Sequence, residues 1–166
     1  MLRMKGSVEI GRPIEDVFAF VANPENFHRW QMGLHHVTYR PNDTGHGALT
    51  EVRKVMGRQV AHTLEISEQV DREKMVHRGP ATTHSGEMER RIFFDELGRD
   101  RTRVAIELDI DTRGGLKSGR PIMERMVQRE LDADLLHLKD ILEAHHDLHD
   151  AMATLPRHPD APGSGG

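Results

Sequence analysis

His62 stands in the stretch Val60-Ala61-His62-Thr63-Leu64-Glu65-Ile66, where every second residue is apolar except the imidazole itself. Burying such a ring among aliphatic neighbours costs free energy unless a polar partner meets it. Upstream, Ala48 to Met56 repeats the alternation with Leu49, Glu51, Arg53 and Val55, and Gly57-Arg58 supplies a two-residue connection of the kind that closes a tight hairpin. Pairing Met56 with Gln59 sets Val55 opposite Val60, Arg53 opposite His62, Glu51 opposite Leu64 and Leu49 opposite Ile66, all on one face. Glu51, Arg53 and His62 then share the apolar side of the hairpin. Such a trio would orient a ligand carbonyl or carboxylate, or serve as acid and base, because histidine titrates near neutrality and a carboxylate fixes its tautomer. The plainer alternative is that these side chains reach solvent at one end of a sheet.

Arg90 poses the same question in a second strand. The even positions of Glu87 to Phe94 read Met88, Arg90, Ile92 and Phe94, and the odd ones Glu87, Glu89, Arg91 and Phe93. The even set buries more apolar surface and is the expected inner face, which turns Arg90 inward as a ligand anchor. His77 joins that face if the preceding hairpin keeps an even-residue loop. Trp30, the only tryptophan, follows a helical turn where a pocket mouth would lie, and would stack on a ligand or simply fill core. Metal chemistry is not expected despite twelve histidines. His145 and His149 are four apart and His35 and His36 adjacent, but no HExxH or comparable ligand set exists. His145, His146 and His149 sit where a helix ends, a place the helix dipole favours for histidine. No glycine-rich phosphate loop or nucleophile elbow occurs, so no cofactor is expected.

These residues need elements to hold them. Met4, Gly6, Val8 and Ile10 alternate against charged neighbours as a half-buried strand, and Gly11-Arg12-Pro13 ends it. Ile14, Val17, Phe18 and Val21 form the stripe of a short helix that must stop before Asn23-Pro24, and a second short helix or turn covers Glu25 to Gln31. Val37–Arg40, Ala48–Met56, Gln59–Ser67, Lys74–Arg78, Glu87–Phe94 and Arg103–Ile110 then read as an antiparallel meander. Its last member is clean, with Val104, Ile106, Leu108 and Ile110 on one face. After Gly114-Gly115, a segment from about Arg120 to His146 carries Met123, Val127, Leu131, Leu135, Leu138 and Leu142 on one stripe of an amphipathic helix. The expectation is one α+β domain over residues 1–150, followed by a disordered Pro/Gly/Ser-rich tail at 151–166.

Composition narrows the classes. The chain of 166 residues suits one domain, and zero cysteines exclude disulfides, thiolate metal sites and cysteine nucleophiles. A formal charge of −4 argues against nucleic acid as a partner. No window is long and apolar enough to span a membrane and no signal-peptide layout opens the chain, so a cytoplasmic protein is expected. A twisted sheet with one long helix across its concave side leaves a gap lined by inward side chains, which is a route to ligand binding.

Ile10-Gly11-Arg12-Pro13-Ile14-Glu15-Asp16-Val17-Phe18, then Asn23-Pro24-Glu25-Asn26-Phe27 leading to Trp30, resembles the opening of the SRPBCC (START-like) superfamily, especially its polyketide cyclase/dehydrase branch. Leu138-Lys139-Asp140-Ile141-Leu142-Glu143 is similar to that family's final helix, and the resemblance runs from about Met4 to His146. It implies a helix-grip fold, a seven-stranded antiparallel sheet curved around a long helix, with a deep cavity for lipids, polyketides or other hydrophobic ligands. It transfers no catalytic residue, since the family has no universal catalytic motif. The cavity candidates are therefore Trp30, Glu51, Arg53, His62, His77, Met88, Arg90, Leu108, Met123 and Val127. The expected partner is a small hydrophobic or amphipathic ligand, and the sequence leaves room for a homodimer. An aromatase/cyclase-type enzyme and a non-catalytic protein-interaction module are the alternatives.

Overall fold

The computed structural model describes residues 1–43, 46–55, 57–80, 86–111 and 119–153. Strand β1 (Leu2–Ile10) is followed by helix α1 (Ile14–Ala22), a single 3-10 turn (Pro24–Asn26) and the four-residue helix α2 (Phe27–Trp30). Then come β2 (Leu34–Arg40), β3 (Ala48–Val55), β4 (Arg58–Val70), β5 (Lys74–Pro80), β6 (Glu87–Gly98), β7 (Arg101–Ile110) and helix α3 (Arg120–Ala153). The seven strands form one antiparallel sheet in the order β1-β7-β6-β5-β4-β3-β2. This is the α+β arrangement expected from the alternation and the final amphipathic stripe, and the seven-stranded helix-grip architecture that the family resemblance implies.

Side chains at alternate positions separate the two faces of the sheet. On the outer face Arg91 bonds Glu89, Glu107 and Asp109 across β6 and β7. On the inner face Met88, Arg90, Ile92 and Phe94 are buried, so the even set of β6 does point inward. Helix α3 lies along β1 and closes that edge. The Gln128 side chain accepts from the Lys5 N–H and donates to the Lys5 carbonyl, and Lys139 Nζ donates to the Glu9 carbonyl. Covering an open strand edge in this way satisfies backbone groups that would otherwise invite another chain. Gly6 permits the close approach, because a Cβ there would stand 2.8 Å from Leu135 Cδ1.

Three expectations need correction. The β3–β4 register is shifted by two residues: Glu51 faces His62, Arg53 faces Val60, Leu49 faces Leu64 and Val55 faces Arg58. The connection ends on Gly57 at φ +81°, which lets Arg58 enter the strand at once, and a slip of two leaves every side chain on its expected face. The β4–β5 loop is odd, Asp71 to Glu73, yet a β-bulge between Ile66 and Glu68 absorbs one residue and restores His77 to the inner face opposite Ile66. Helix α3 runs to Ala153, beyond the expected end at His146, so 151–153 are helical and not tail. The expectation of disorder for 154–166 lies outside the described residues, as do Gly114-Gly115 and the side chains of His145, His146 and His149.

The helix stripe holds the domain together through Leu131, Leu135, Leu138 and Leu142, all buried. Leu135→Ala should lower the unfolding free energy measured in urea by about 2–5 kcal/mol, through lost transfer energy and a residual cavity. Leu136→Ala, at a side chain 59% exposed, should cost less than about 0.5 kcal/mol.

Candidate functional site

The inner face of β3 to β6 carries polar groups in the middle of an apolar surface. Glu51 is fully buried, and His62, His77 and Arg90 are each at most 6% exposed. Glu51 and Arg90 lie on β3 and β6, with β4 and β5 between them. Arg90 nonetheless donates from NH2 to Glu51 Oε1 at 2.6 Å, so its guanidinium reaches across the concavity of the sheet. Arg53 donates from Nε to Glu51 Oε2 at 2.8 Å, and one carboxylate thus serves two guanidiniums. Gln31, immediately after α2, accepts at Oε1 from both Arg53 and Arg90 and ties the short helix to the sheet.

His77 receives the other side of Arg90, which donates to Nδ1 from Nε at 3.2 Å and lies 2.9 Å from it through NH2. Arginine has only donors, so Nδ1 must be the acceptor and the neutral ring carries its proton on Nε2. Among the described residues that Nε2 is buried with no hydrogen-bond partner, and so is Trp30 Nε1. His62 Nε2 lies 3.5 Å from Glu51 Oε2 without hydrogen-bond geometry, leaving both of its ring nitrogens unpartnered among the described residues. The cluster is capped from above by Phe27 of α2, whose ring centroid is 6.1 Å from that of His77.

The charges set the protonation states. Burial alone would raise the Glu51 carboxyl, but the Arg90 and Arg53 guanidiniums override it and hold the group well below the usual carboxylate range. Burial lowers His62 to about 4, with Arg53 and Arg90 adding to the shift and Glu51 opposing it. Burial and Arg90 lower His77 to about 3, again against Glu51. At neutral pH both histidines are therefore uncharged, and the fixed charges are those of Glu51, Arg53 and Arg90.

Helix α3 contributes two acidic groups at the edge of the cluster. Glu130 Oε1 lies 3.8 Å from Arg53 NH1, and Asp134 Oδ1 accepts the Met32 N–H at 2.9 Å. Burial, reinforced by Glu130, pushes Asp134 up to about 6, against the Met32 hydrogen bond and the Arg53 charge. Neither Gln31 nor Asp134 was anticipated. Asp134 left a readable signal, an acid inside the stripe between Leu131 and Leu135, whereas Gln31 left none.

The remaining candidates take simpler places. Trp30 is 1% exposed, inside the core and not at a mouth. Met88 is buried between Gly79 and Ile110 in register, and Leu108 lies half-buried directly beside Arg90. Met123 and Val127 are partly buried against the core. Among the described residues, two surface recesses stand out. One of about 320 Å³ lies beside Ala22, Pro24, Tyr39, His46, Ile66 and Gln69. The other, of about 380 Å³, is rimmed by Glu15, Asp71, Glu73, Asp95 and Glu96 together with Arg72. Neither is lined by Glu51, Arg53, His62, His77 or Arg90. Among the described residues no three His, Asp or Glu side chains are placed to hold a metal ion, and no helix is long and apolar enough to cross a membrane.

A seven-stranded antiparallel sheet gripping a long C-terminal helix, with two short helices after the first strand, is the START-like class of fold. The chain belongs to the polyketide cyclase / dehydrase and lipid transport family, whose model matches residues 1–143. A START superfamily protein from Mycobacterium smegmatis superposes with a TM-score of 0.74 at 15% identity, over 87% of this chain and 99% of that one. The Zhui aromatase/cyclase from Streptomyces sp. R1128 gives 0.73 at 18% identity, over 85% and 93%. A conserved protein from Geobacillus kaustophilus gives 0.70 at 12% identity, over 86% and 96%. These likenesses are of fold. No curated protein matches the sequence.

Removing Glu51 leaves the buried guanidinium of Arg90 and the partly buried one of Arg53 without their shared anion. Glu51→Gln should therefore lower the unfolding free energy at pH 7 by about 3–5 kcal/mol, and adding Arg90→Met should recover part of that loss, measured by urea denaturation of the single and double variants. The pH dependence follows from the histidines. Their folded values lie below the ordinary 6.5, so the unfolded chain binds more protons and stability falls as pH drops from 6.5 through 4 toward 3. Asp134 runs the other way, its raised value favouring the fold at low pH and costing stability as pH rises through about 6. Asp134→Asn, which keeps an acceptor for Met32, should raise urea stability above pH 6 and leave it little changed near pH 4.

Proposed function

We propose that the protein binds a small amphipathic molecule on the inner face of its sheet, beneath α2 and α3, with the polar end of the molecule at the Glu51–Arg90–His77 cluster. The observation that carries this reading is the buried polar group set itself. Two guanidiniums, one carboxylate and two neutral imidazoles are held inside an apolar surface, where they cost stability unless they serve a ligand. Family membership supports it, since the family's description joins cyclase/dehydrase activity with lipid transport. Apolar walls with a few convergent polar groups are the usual composition of a small-molecule site.

A second reading is an aromatase/cyclase-type reaction, and one observation favours it. Glu51, Arg53, Arg90, His62 and His77 each hold a fixed protonation state at pH 7, so they would polarise a carbonyl but not shuttle a proton. Asp134, at about 6, is the group whose value suits general acid and base work near neutrality.

Native mass spectrometry of the purified protein, with identification of anything that co-purifies, tests the binding reading. A stoichiometric apolar molecule is expected, and adding it back at about 100 times its Kd should stabilise the fold by about 2.7 kcal/mol. An empty protein that gains no thermal stability from lipids, sterols, quinones or polyketide mimics would overturn the reading and favour a protein-interaction role.

A further inference from the structure

We infer that the outward face of α3 is an interface with a second copy of this chain, the two helices pairing antiparallel along Ile122, Met126, Arg129, Ala133 and Leu136. This interface stands independently of the ligand-binding reading above.

A helix that packs on a sheet needs one apolar stripe, and α3 has two. The inner stripe runs through Leu131, Leu135, Leu138 and Leu142, all buried. Ile122 precedes Leu131 by nine residues, so at about 100° per residue it points about 180° away from it. From Ile122 the residues Met126, Arg129, Ala133, Leu136 and Asp140 follow at steps of four, three, four, three and four, the heptad spacing of a helix-pairing seam. All six are exposed, Ile122 by 64% and Met126 by 56%. Met32, 71% exposed, stands beside the same helix with its N–H on Asp134. Four of the seven large apolar side chains exposed among the described residues therefore gather on or beside this one helix, whereas exposed ones scattered singly would call for no explanation.

The charges of the seam select its occupant and its direction. The N-terminal half carries Arg125 and Arg129, the C-terminal half Asp132 and Asp140. Parallel pairing would set Arg129 on Arg129 and Asp140 on Asp140. An antiparallel two-fold centred near Leu131 sets the basic half of each helix against the acidic half of the other. Met126 then lies level with Leu136 of the second copy, and Arg129 lies level with Ala133, whose small side chain leaves room for the arginine stem, and within reach of Asp132. Among the described residues Arg125, Arg129 and Asp140 form no ion pair within the chain, and Asp132 engages only Gln128, through one oxygen, so these charges are open to a partner. A membrane surface suits the seam less well. An interfacial helix takes Lys and Arg along its polar flanks, whereas Glu130, Asp132 and Asp140 border this one and the whole chain carries −4. The seam from Ile122 to Asp140 is about 27 Å long, and one helix laid along another covers less than a standard interface, so the dimer is a weak, exchanging one.

Sedimentation equilibrium of the intact chain should show the average mass rising from that of one chain at about 5 µM toward that of two at about 500 µM. Met126→Glu, at an exposed position, should hold the mass at one chain throughout, with the circular dichroism spectrum and the thermal midpoint of the dilute protein unchanged. Arg129→Asp should weaken association about tenfold or more, and Arg129→Asp combined with Asp132→Arg should bring it back to within about threefold, because the exchange rebuilds the antiparallel contact with its signs reversed. The mass of one chain at every concentration would overturn the second copy as occupant, and a dimer indifferent to Met126→Glu would overturn the face. Failure of the exchanged pair to recover would overturn the antiparallel arrangement. Co-sedimentation of the single chain with phosphatidylserine-containing vesicles, lost in Met126→Glu, would assign the seam to a membrane and overturn the proposal.

Discussion

One buried carboxylate shared by two guanidiniums is the interaction on which the rest of this interior depends. Glu51 has no exposed surface, and neither oxygen is free: one meets Arg90 and the other Arg53. Because Arg90 comes from β6 and Glu51 from β3, the contact spans two intervening strands and is compatible only with a strongly curled sheet. The same two guanidiniums recruit Gln31, which fixes the end of α2 over the concave face. They also decide the state of the imidazoles, since a second positive charge beside Arg90 in a buried setting is disfavoured twice, by desolvation and by repulsion.

Helix α3 meets this interior asymmetrically. Along β1 it is held by Leu135 against Gly6, by Gln128 on the backbone of Lys5, by Lys139 on Glu9 and by Glu143 on the Gly11 N–H. On its other side it meets the turn after α2 through Asp134 on the Met32 N–H and reaches Arg53 through Glu130. The first set is backbone edge and packed leucine; the second is a pair of carboxylates, one of them near its titration point. Apolar packing thus sets where the helix lies, while charge links it to the cluster.

Much of this was legible in the residues. Period-two alternation located the strands, the even positions of β6 chose the inner face, and the stripe from Met123 to Leu142 announced the gripping helix. Glu51, Arg53, His62, His77 and Arg90 were placed on one face because face depends only on parity, and parity survives a slip of two residues. What failed were details that parity does not encode. The hairpin register turned on whether Gly57 opens or closes the connection. His77 reached its face by an odd loop plus a bulge, two irregularities that cancel. Gln31 was invisible because it joins the site through curvature, which brings the turn after α2 to two strands of the sheet at once. Trp30 was placed at a mouth because sequence gives no depth; the core closed over it.

The state of the His77 ring reads this account most directly. Its nitrogen shifts, followed by NMR across a pH titration of the intact protein, should show a proton on Nε2 and none on Nδ1, unchanged from neutrality down to about pH 4. A ring that titrates near its ordinary value of 6.5, or that carries its proton on Nδ1, would mean that Arg90 is not engaged with it and that the buried cluster is not wired as described.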